Sequence, residues 1–334
     1  MIGFHEPTGR LYVEEQSPAN KSSLSEFLLL QFSDVRELQS LHFIVFLIFY
    51  LTAATGNLLI VSAIVSDYRL HTPMYFFLMN LAIQDVGQIS VILPVSMANS
   101  LRNDSHISYS GCVTQVLFNV FFIASDFFLL TVMAYDRYAA ICKPLLYEIV
   151  MNKHACLQMV TAVWIISLFY GVLHTAGTFV SPFCANNVNQ FFCEIPHLLK
   201  LVCSDLFLIE IAILLLSAVV AMSCFVFVIV SYMYILTTVM RFPAGQGRKR
   251  AFSTCLPHLS VLSVFVFTSF LSYFKPASDS PSSLDLSLTM IYTMVPPLIN
   301  PLIYSLRNRE IKIALKKLLC LRFFPVNSLF YLVW

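Results

Sequence analysis

The sequence predicts an all-α membrane protein: a seven-transmembrane helix bundle with a short amphipathic C-terminal helix. Three observations carry that expectation. The 334 residues are 58% hydrophobic and only 11% charged, against about 25% charged in an ordinary soluble domain. Seven apolar stretches recur along the chain, at roughly 41–65, 74–98, 113–138, 155–178, 206–236, 251–274 and 286–305. Each holds the ~20 residues that a ~30 Å hydrocarbon layer requires. The third stretch ends on a polar triplet, Asp136-Arg137-Tyr138, and a polar triplet at the end of a buried helix calls for a use.

The stretches read as helices because barrel strands alternate apolar and polar residues over ~10 positions, and these runs do not. The chain divides into an outer N-terminal tail (1–40), the bundle (41–305), and an inner surface helix and tail (306–334). Residues 1–40 are polar and mixed in charge. They lack a basic segment followed by a short apolar run and a small-residue cleavage site. The first span is therefore expected to serve as the insertion signal. The seventh span contains Pro296, Pro297 and Pro301. After it, Ile311, Leu315, Leu318 and Leu319 share one helical face with Lys and Arg opposite, the pattern of a helix lying on a membrane surface.

Orientation follows from lysine and arginine. With the N-terminus outside, 14 of the 20 basic residues fall on the cytoplasmic side, among them Arg137, Arg241, Arg248-Lys249-Arg250, Arg307, Lys312 and Lys316-Lys317. The positive-inside rule then favours N-terminus out and C-terminus in. A net charge of +2 is too small to suggest nucleic acid. The basic clusters lie beside membrane ends, where anionic lipid or a protein partner is the natural counter-charge.

Ionisable residues within spans are costly, so each should face the interior. Asp85 in the second span and Asp126 in the third stand out. Asp126 lies 11 residues before Arg137, which places it about 16 Å deeper along a helix. Asn119, Ile123, Asp126, Leu130, Met133 and Arg137 follow three- and four-residue steps, so one stripe joins mid-membrane to the inner end. Asn57 and Asn300 are further interior candidates, and Asn300-Pro301 with Tyr304 adds a proline bend. Two carboxylates and two amides suit a structural sodium ion at Asp85 and Asp126. The alternative is one protonated carboxyl within a shared hydrogen-bond set. Asp136 and Arg137 are expected to form a local ion pair that a docking partner can break.

Of nine cysteines, Cys112, Cys184, Cys193 and Cys203 fall on the oxidising side. Four cysteines allow three pairings, and spacing alone does not choose. A metal site built from these thiols and His197 is the less favoured reading, because outer cysteines oxidise. Cys320 beside the surface helix is a candidate for acylation or a plain thiol. Asn20-Lys21-Ser22 and Asn103-Asp104-Ser105 are glycosylation sequons. No nucleophile–base pair, phosphate loop or metal-ligand spacing points to an enzyme, and apart from the structural sodium no cofactor is expected.

Taken together, the segments Gly56-Asn57, Pro73-Met74-Tyr75-Phe76-Phe77-Leu78 through Asp85, Met133-Ala134-Tyr135-Asp136-Arg137-Tyr138 through Leu145, Ser231-Tyr232, Arg250-Ala251-Phe252-Ser253-Thr254-Cys255 through His258, and Pro297-Leu298-Ile299-Asn300-Pro301 through Asn308 carry a resemblance. The chain resembles rhodopsin-like class A G-protein-coupled receptors, and within them the olfactory receptors, from about Asn20 to Leu319.

The resemblance implies a small volatile, mostly apolar odorant as ligand and a stimulatory, olfactory-type heterotrimeric G protein as partner, with a rise in cAMP. It implies the plasma membrane, in sensory-neuron cilia. It implies disulfides Cys112–Cys193 and Cys184–Cys203, and a switch built on Asp136, Arg137, Tyr138, Asn300, Pro301 and Tyr304. Helical phase and the resemblance together nominate Asn119, Val120, Ile123, Ala124, Val266, Ser269, Phe270 and Tyr273 as ligand-lining residues.

Two departures stand out. Val266 replaces the tyrosine usual in that family, which removes a hydroxyl from the pocket floor, and Asp126 replaces the usual glutamate with a shorter acid. The N-terminus is also longer than is usual. The alternatives are a receptor of the same fold with a non-olfactory chemosensory role, and an ion-coupled secondary transporter. No unwound half-helices or inverted repeat support the transporter.

Overall fold

The computed structural model describes residues 25–30, 35–102, 105–241, 245, 259, 262–263, 266–268, 270–271 and 283–323. Among them, six helices are long and apolar enough to cross a membrane. They are α1 (Arg36–Ser66), α2 (Pro73–Arg102), α3 (Tyr109–Cys142), α5 (Lys153–Phe179), α7 (Phe207–Met240) and α8 (Ser283–Arg307). These match six of the seven expected spans. Most of the remaining span, 251–274, lies outside the described residues; those described there, from Leu259 to Leu271, are helical. Three short helices complete the set: α4 (Pro144–Val150), α6 (Ile195–Leu199) and α9 (Arg309–Phe323).

Local chemistry sets the ends. Ser108 caps α3 by accepting from Gly111 N, and Asn152 caps α5 by accepting from Ala155 N. Pro144 opens α4, where its missing N–H costs nothing. In the turn after α1, Asp67 accepts from Arg69 N and pairs with the Arg69 guanidinium at 2.6 Å. That pairing pulls the Asp67 carboxyl down to about 2.

The burial pattern is that of a membrane bundle. On α1, Leu41, Ile44, Val45, Ile48 and Leu51 face outward while Phe46, Ala53, Asn57 and Ile60 face inward. On α2 the buried residues include the polar Asn80, Gln84, Asp85 and Gln88. A helix that is apolar on its exposed side and polar on its buried side has the inverse of a soluble pattern. Gly56 lets α1 approach α8 closely: a side-chain carbon there would stand 3.1 Å from Pro301 Cβ.

The sequence reading gave no strands, yet three form at the N-terminal face of the bundle. They are β1 (Glu26–Leu29), β2 (His106–Ser108) and β3 (Asn187–Val188), in the order β2-β1-β3. Phe27 pairs opposite Ile107 across the antiparallel edge, and Leu28 opposite Asn187 across the parallel one. Beneath them Phe27, Ile107, Cys112, Val188, Cys193 and Ile195 make one apolar cluster. Part of the presumed free tail is thus the middle strand of a cap.

At the opposite face, α9 differs from a helix lying only on lipid. Ile311 and Ala314 are buried in the main core with Leu78, Leu130 and Met133, and Leu315 packs against it. Asn308 starts α9: its Oδ1 accepts from Glu310 N and from Tyr75 Oη of α2 (both 3.0 Å). The helix is amphipathic as expected, but much of its apolar face goes to the bundle.

Candidate functional site

The triplet at the end of α3 forms the expected ion pair. Asp136 is buried, and its Oδ2 accepts from Arg137 Nε at 3.0 Å and from Arg137 Nη2. A third partner was not anticipated: Tyr147 of α4 donates its phenol to Asp136 Oδ1 at 2.8 Å. Burial, and then the Asp136 charge, push the Tyr147 phenol above its usual range. Tyr138 stacks edge-on against Tyr234 of α7, with ring centroids 6.1 Å apart. The helix α4 also presents Leu145, Leu146 and Ile149 as exposed apolar side chains.

Deeper in the bundle, Asn300 donates from Nδ2 to both Asp85 oxygens, at 3.0 and 3.3 Å. Asn57 spends its Nδ2 on Ala53 O (3.0 Å) and Pro297 O (2.8 Å). The carbonyl oxygens of Asn57 and Asn300 have no partner. Asp126 is buried on the facing side of α3. With its amide turned so that both ends are matched, Gln84 donates to Asp126 Oδ1 (2.9 Å) and accepts from Trp164 Nε1 (2.9 Å). The set is rich in oxygen acceptors, with two amide oxygens unused, and that chemistry fits a hard cation. Pro301 is buried beside these groups; the Tyr304 side chain lies outside the described residues.

The ligand-lining candidates fall on two levels. Asn119 is buried and its Oδ1 has no partner. Val120 packs against the cluster under the cap, and Ile123 and Val266 against the main core. Ala124 is half-buried and Phe270 exposed, while Ser269 and Tyr273 lie outside the described residues. So do both sequons, at Asn20 and Asn103.

Both disulfides are present. Cys112–Cys193 ties the start of α3 to the loop before α6, and Cys184–Cys203 joins that loop to the segment after α6. Gln115 of α3 reinforces the first, its Oε1 accepting from Cys193 N at 2.9 Å. With these thiols oxidised, the cysteine–histidine metal reading has no ligands.

Two buried polar clusters escaped the sequence reading. His174 of α5 meets Glu210 of α7, Nδ1 to Oε1 at 2.6 Å, and its Nε2 meets Ser217 Oγ at 2.9 Å. Ser217 also donates to Ile213 O. Glu210 packs directly on Gly177, where any side-chain carbon would collide with its carboxylate. In the second cluster, Gln190 and Thr289 of α8 bond at 3.1 Å beside the buried Glu194, which lies 3.2 Å from His197. It joins the loop after α5 to α8. An acid in the first turn of a span was the available signal for Glu210; nothing local marks its partner.

Comparison with known proteins agrees with this arrangement. The family profile for olfactory receptors matches residues 46–322. The chain is 48% identical to olfactory receptor 14J1 of Homo sapiens over 301 residues, covering 90% of this chain and 94% of that protein. It is 47% identical to olfactory receptor 14C36 of Homo sapiens over 309 residues, covering 92% and 99%. It is 45% identical to olfactory receptor 1G1 of Gorilla gorilla gorilla over 304 residues, covering 91% and 97%. With six of its apolar spans described and the family profile running from within α1 through α9, this multi-pass membrane protein is a receptor rather than an enzyme and belongs to the olfactory receptor family.

Proposed function

We propose that the chain is an odorant-activated receptor that couples to a stimulatory, olfactory-type heterotrimeric G protein and raises cAMP. The observation that carries this reading is the α3 stripe. It runs from the unpartnered Asn119 amide oxygen, past buried Asp126, to the Asp136–Arg137 pair that Tyr147 secures. A ligand at one end can act on the other only by binding one arrangement of the bundle more tightly.

The N-terminus faces the outside and the C-terminus the cytoplasm, in the plasma membrane of sensory-neuron cilia. The lysine and arginine distribution and the disulfides gathered at the N-terminal face support that orientation; the family supports the cilia. A small volatile ligand lodges among Asn119, Val120, Ile123, Ala124, Val266, Ser269, Phe270 and Tyr273. Apolar burial at ~25 cal/mol per Å² supplies most of its affinity. Val266 has no hydroxyl, so the floor beneath the ligand is apolar.

On activation the Asp136–Arg137–Tyr147 set opens, with Asn300, Pro301 and Tyr304 as the bending element of α8. The exposed apolar residues of α4 and the basic run Arg248-Lys249-Arg250 meet the G protein. Asp85 and Asp126 hold a sodium ion in the resting bundle. Asn20 and Asn103 carry glycans, and the basic face of α9 meets anionic lipid.

The test is a screen of volatile compounds against the expressed receptor with a cAMP reporter. Saturable activation by at least one compound supports the reading. A response in untransfected cells of equal size, or no response across chemical classes from a receptor present at the surface, refutes it.

A further inference from the structure

Gln88 of α2 and Asn119 of α3 are 1% and 3% exposed, and each keeps one polar atom unpartnered: the Nε2 donor of Gln88 and the Oδ1 acceptor of Asn119. Buried amides without partners are rare in folded proteins because each forfeits its bonds to water.

Three contacts fix how α2 and α3 run past each other. Gln115 Nε2 donates to Val91 O at 3.0 Å. A side-chain carbon at Gly87 would strike the Phe122 ring. Gln84 bonds to Ser125. As residue numbers rise on α2 they fall on α3, so the helices are antiparallel. Gln88 lies between Gly87 and Val91 on one, and Asn119 between Gln115 and Phe122 on the other. The two residues therefore stand at one level of the seam, yet no hydrogen bond joins their orphaned atoms.

An unused donor and an unused acceptor at one level are satisfied together by one small group, a hydroxyl, which accepts at a lone pair and donates its proton. We infer that a ligand hydroxyl binds between Gln88 Nε2 and Asn119 Oδ1, which makes small alcohols and phenols the preferred ligand class. This rests on the receptor reading above and deepens it. An ether, aldehyde or ketone only accepts and serves Gln88 alone. A protonated amine only donates and serves Asn119 alone. Either would leave one buried group still unpaired, and a site built around a hydroxyl discriminates against analogues for that reason.

The test compares straight-chain primary alcohols with their O-methyl ethers, and phenols with the matching anisoles, on the full-length receptor with a cAMP reporter and surface labelling. The alcohol is expected to activate at roughly three- to tenfold lower concentration than its ether, the range one net hydrogen bond allows. Gln88→Met and Asn119→Leu, which keep size and remove polarity, should each bring the pair to within about twofold. Should either variant fail to reach the surface, Gln88→Asn and Asn119→Ser withdraw the polar atoms with less disturbance and are expected to give the same levelling.

Equal potency of alcohol and ether on the unaltered receptor overturns the hydroxyl site while leaving the receptor reading standing. Discrimination that persists in the variants overturns it equally, as does a loss that falls alike on alcohol and ether. Failure of every volatile compound, of any class, removes the receptor reading and this inference with it.

Discussion

Tyr147 and Arg137 divide one carboxylate between them: the phenol takes Asp136 Oδ1 at 2.8 Å and the guanidinium takes Oδ2. Asp136 is therefore held from α4 as well as from its own helix. A hydrogen bond to a charged group is worth ~1.5–3 kcal/mol net, enough to bias a two-state element. Tyr147→Phe should raise ligand-independent cAMP by roughly tenfold or more, and unchanged basal signalling would show that the tie is not part of the resting lock. Arg137→Ala should abolish ligand-driven cAMP at normal surface density. A response of wild-type size would refute its assigned role.

The His174–Glu210 pair should act as a structural unit. Removing one partner of a buried hydrogen-bonded pair costs ~1–3 kcal/mol because the other polar group is left unsatisfied away from water. His174→Leu and Glu210→Leu are each expected to reduce surface delivery strongly. The double substitution should recover part of the loss, since no unsatisfied partner remains. Losses that simply add in the double variant would contradict coupling between them.

Asp126→Asn should alter the dependence of basal cAMP on external sodium, by replacing one of the two carboxyl groups proposed to hold the ion. Concentration–response curves in sodium and in choline media measure this. Identical sodium dependence in the two receptors rejects the cation and leaves a protonated carboxyl as the explanation.

Cys112→Ser should prevent surface delivery. The bond spans 81 residues, and closing such a loop contributes about 3–5 kcal/mol in the chain-entropy view. Cys184→Ser, which opens a loop of 19 residues, should be milder. Flow cytometry of an N-terminal epitope gives both values; a reversed order would contradict the loop-length argument.

Asp67 supplies a pH dependence of defined sign. Its carboxyl is held down to about 2 by Arg69, against about 3.9 in an unfolded chain. The pair therefore stabilises fully above pH ~4 and is lost as pH falls toward ~2. Purified receptor should lose thermal stability over that window, and Asp67→Asn should flatten the loss. Arg69 is half-exposed, so solvent screening keeps the effect small. An unchanged acid profile in the variant would exclude the contribution.

Composition was enough for the spans, because a bilayer demands length and apolarity that few soluble helices share. The ion pair at Asp136-Arg137 was legible because its members are adjacent. The disulfide pairings were not derivable from spacing and came through resemblance. What stayed hidden depends on distant partners. Tyr147 sits 11 residues from Asp136, and His174 sits 36 residues from Glu210. The strand β1 was missed because a four-residue segment in a polar tail has too short a pattern to read. Gln88 was passed over because, unlike Asn57, Asn119 and Asn300, it lies on no stripe or motif in the sequence, and its lack of a partner shows only in the fold.

The position of β1 bears on how the receptor is handled. A strand with neighbours on both sides leaves two raw edges when removed, and it also takes Phe27 out of the packing over the first disulfide. An epitope fused ahead of Ser25 should be harmless. A deletion running through Leu29 should yield protein retained inside the cell, however dispensable the leading residues look on paper.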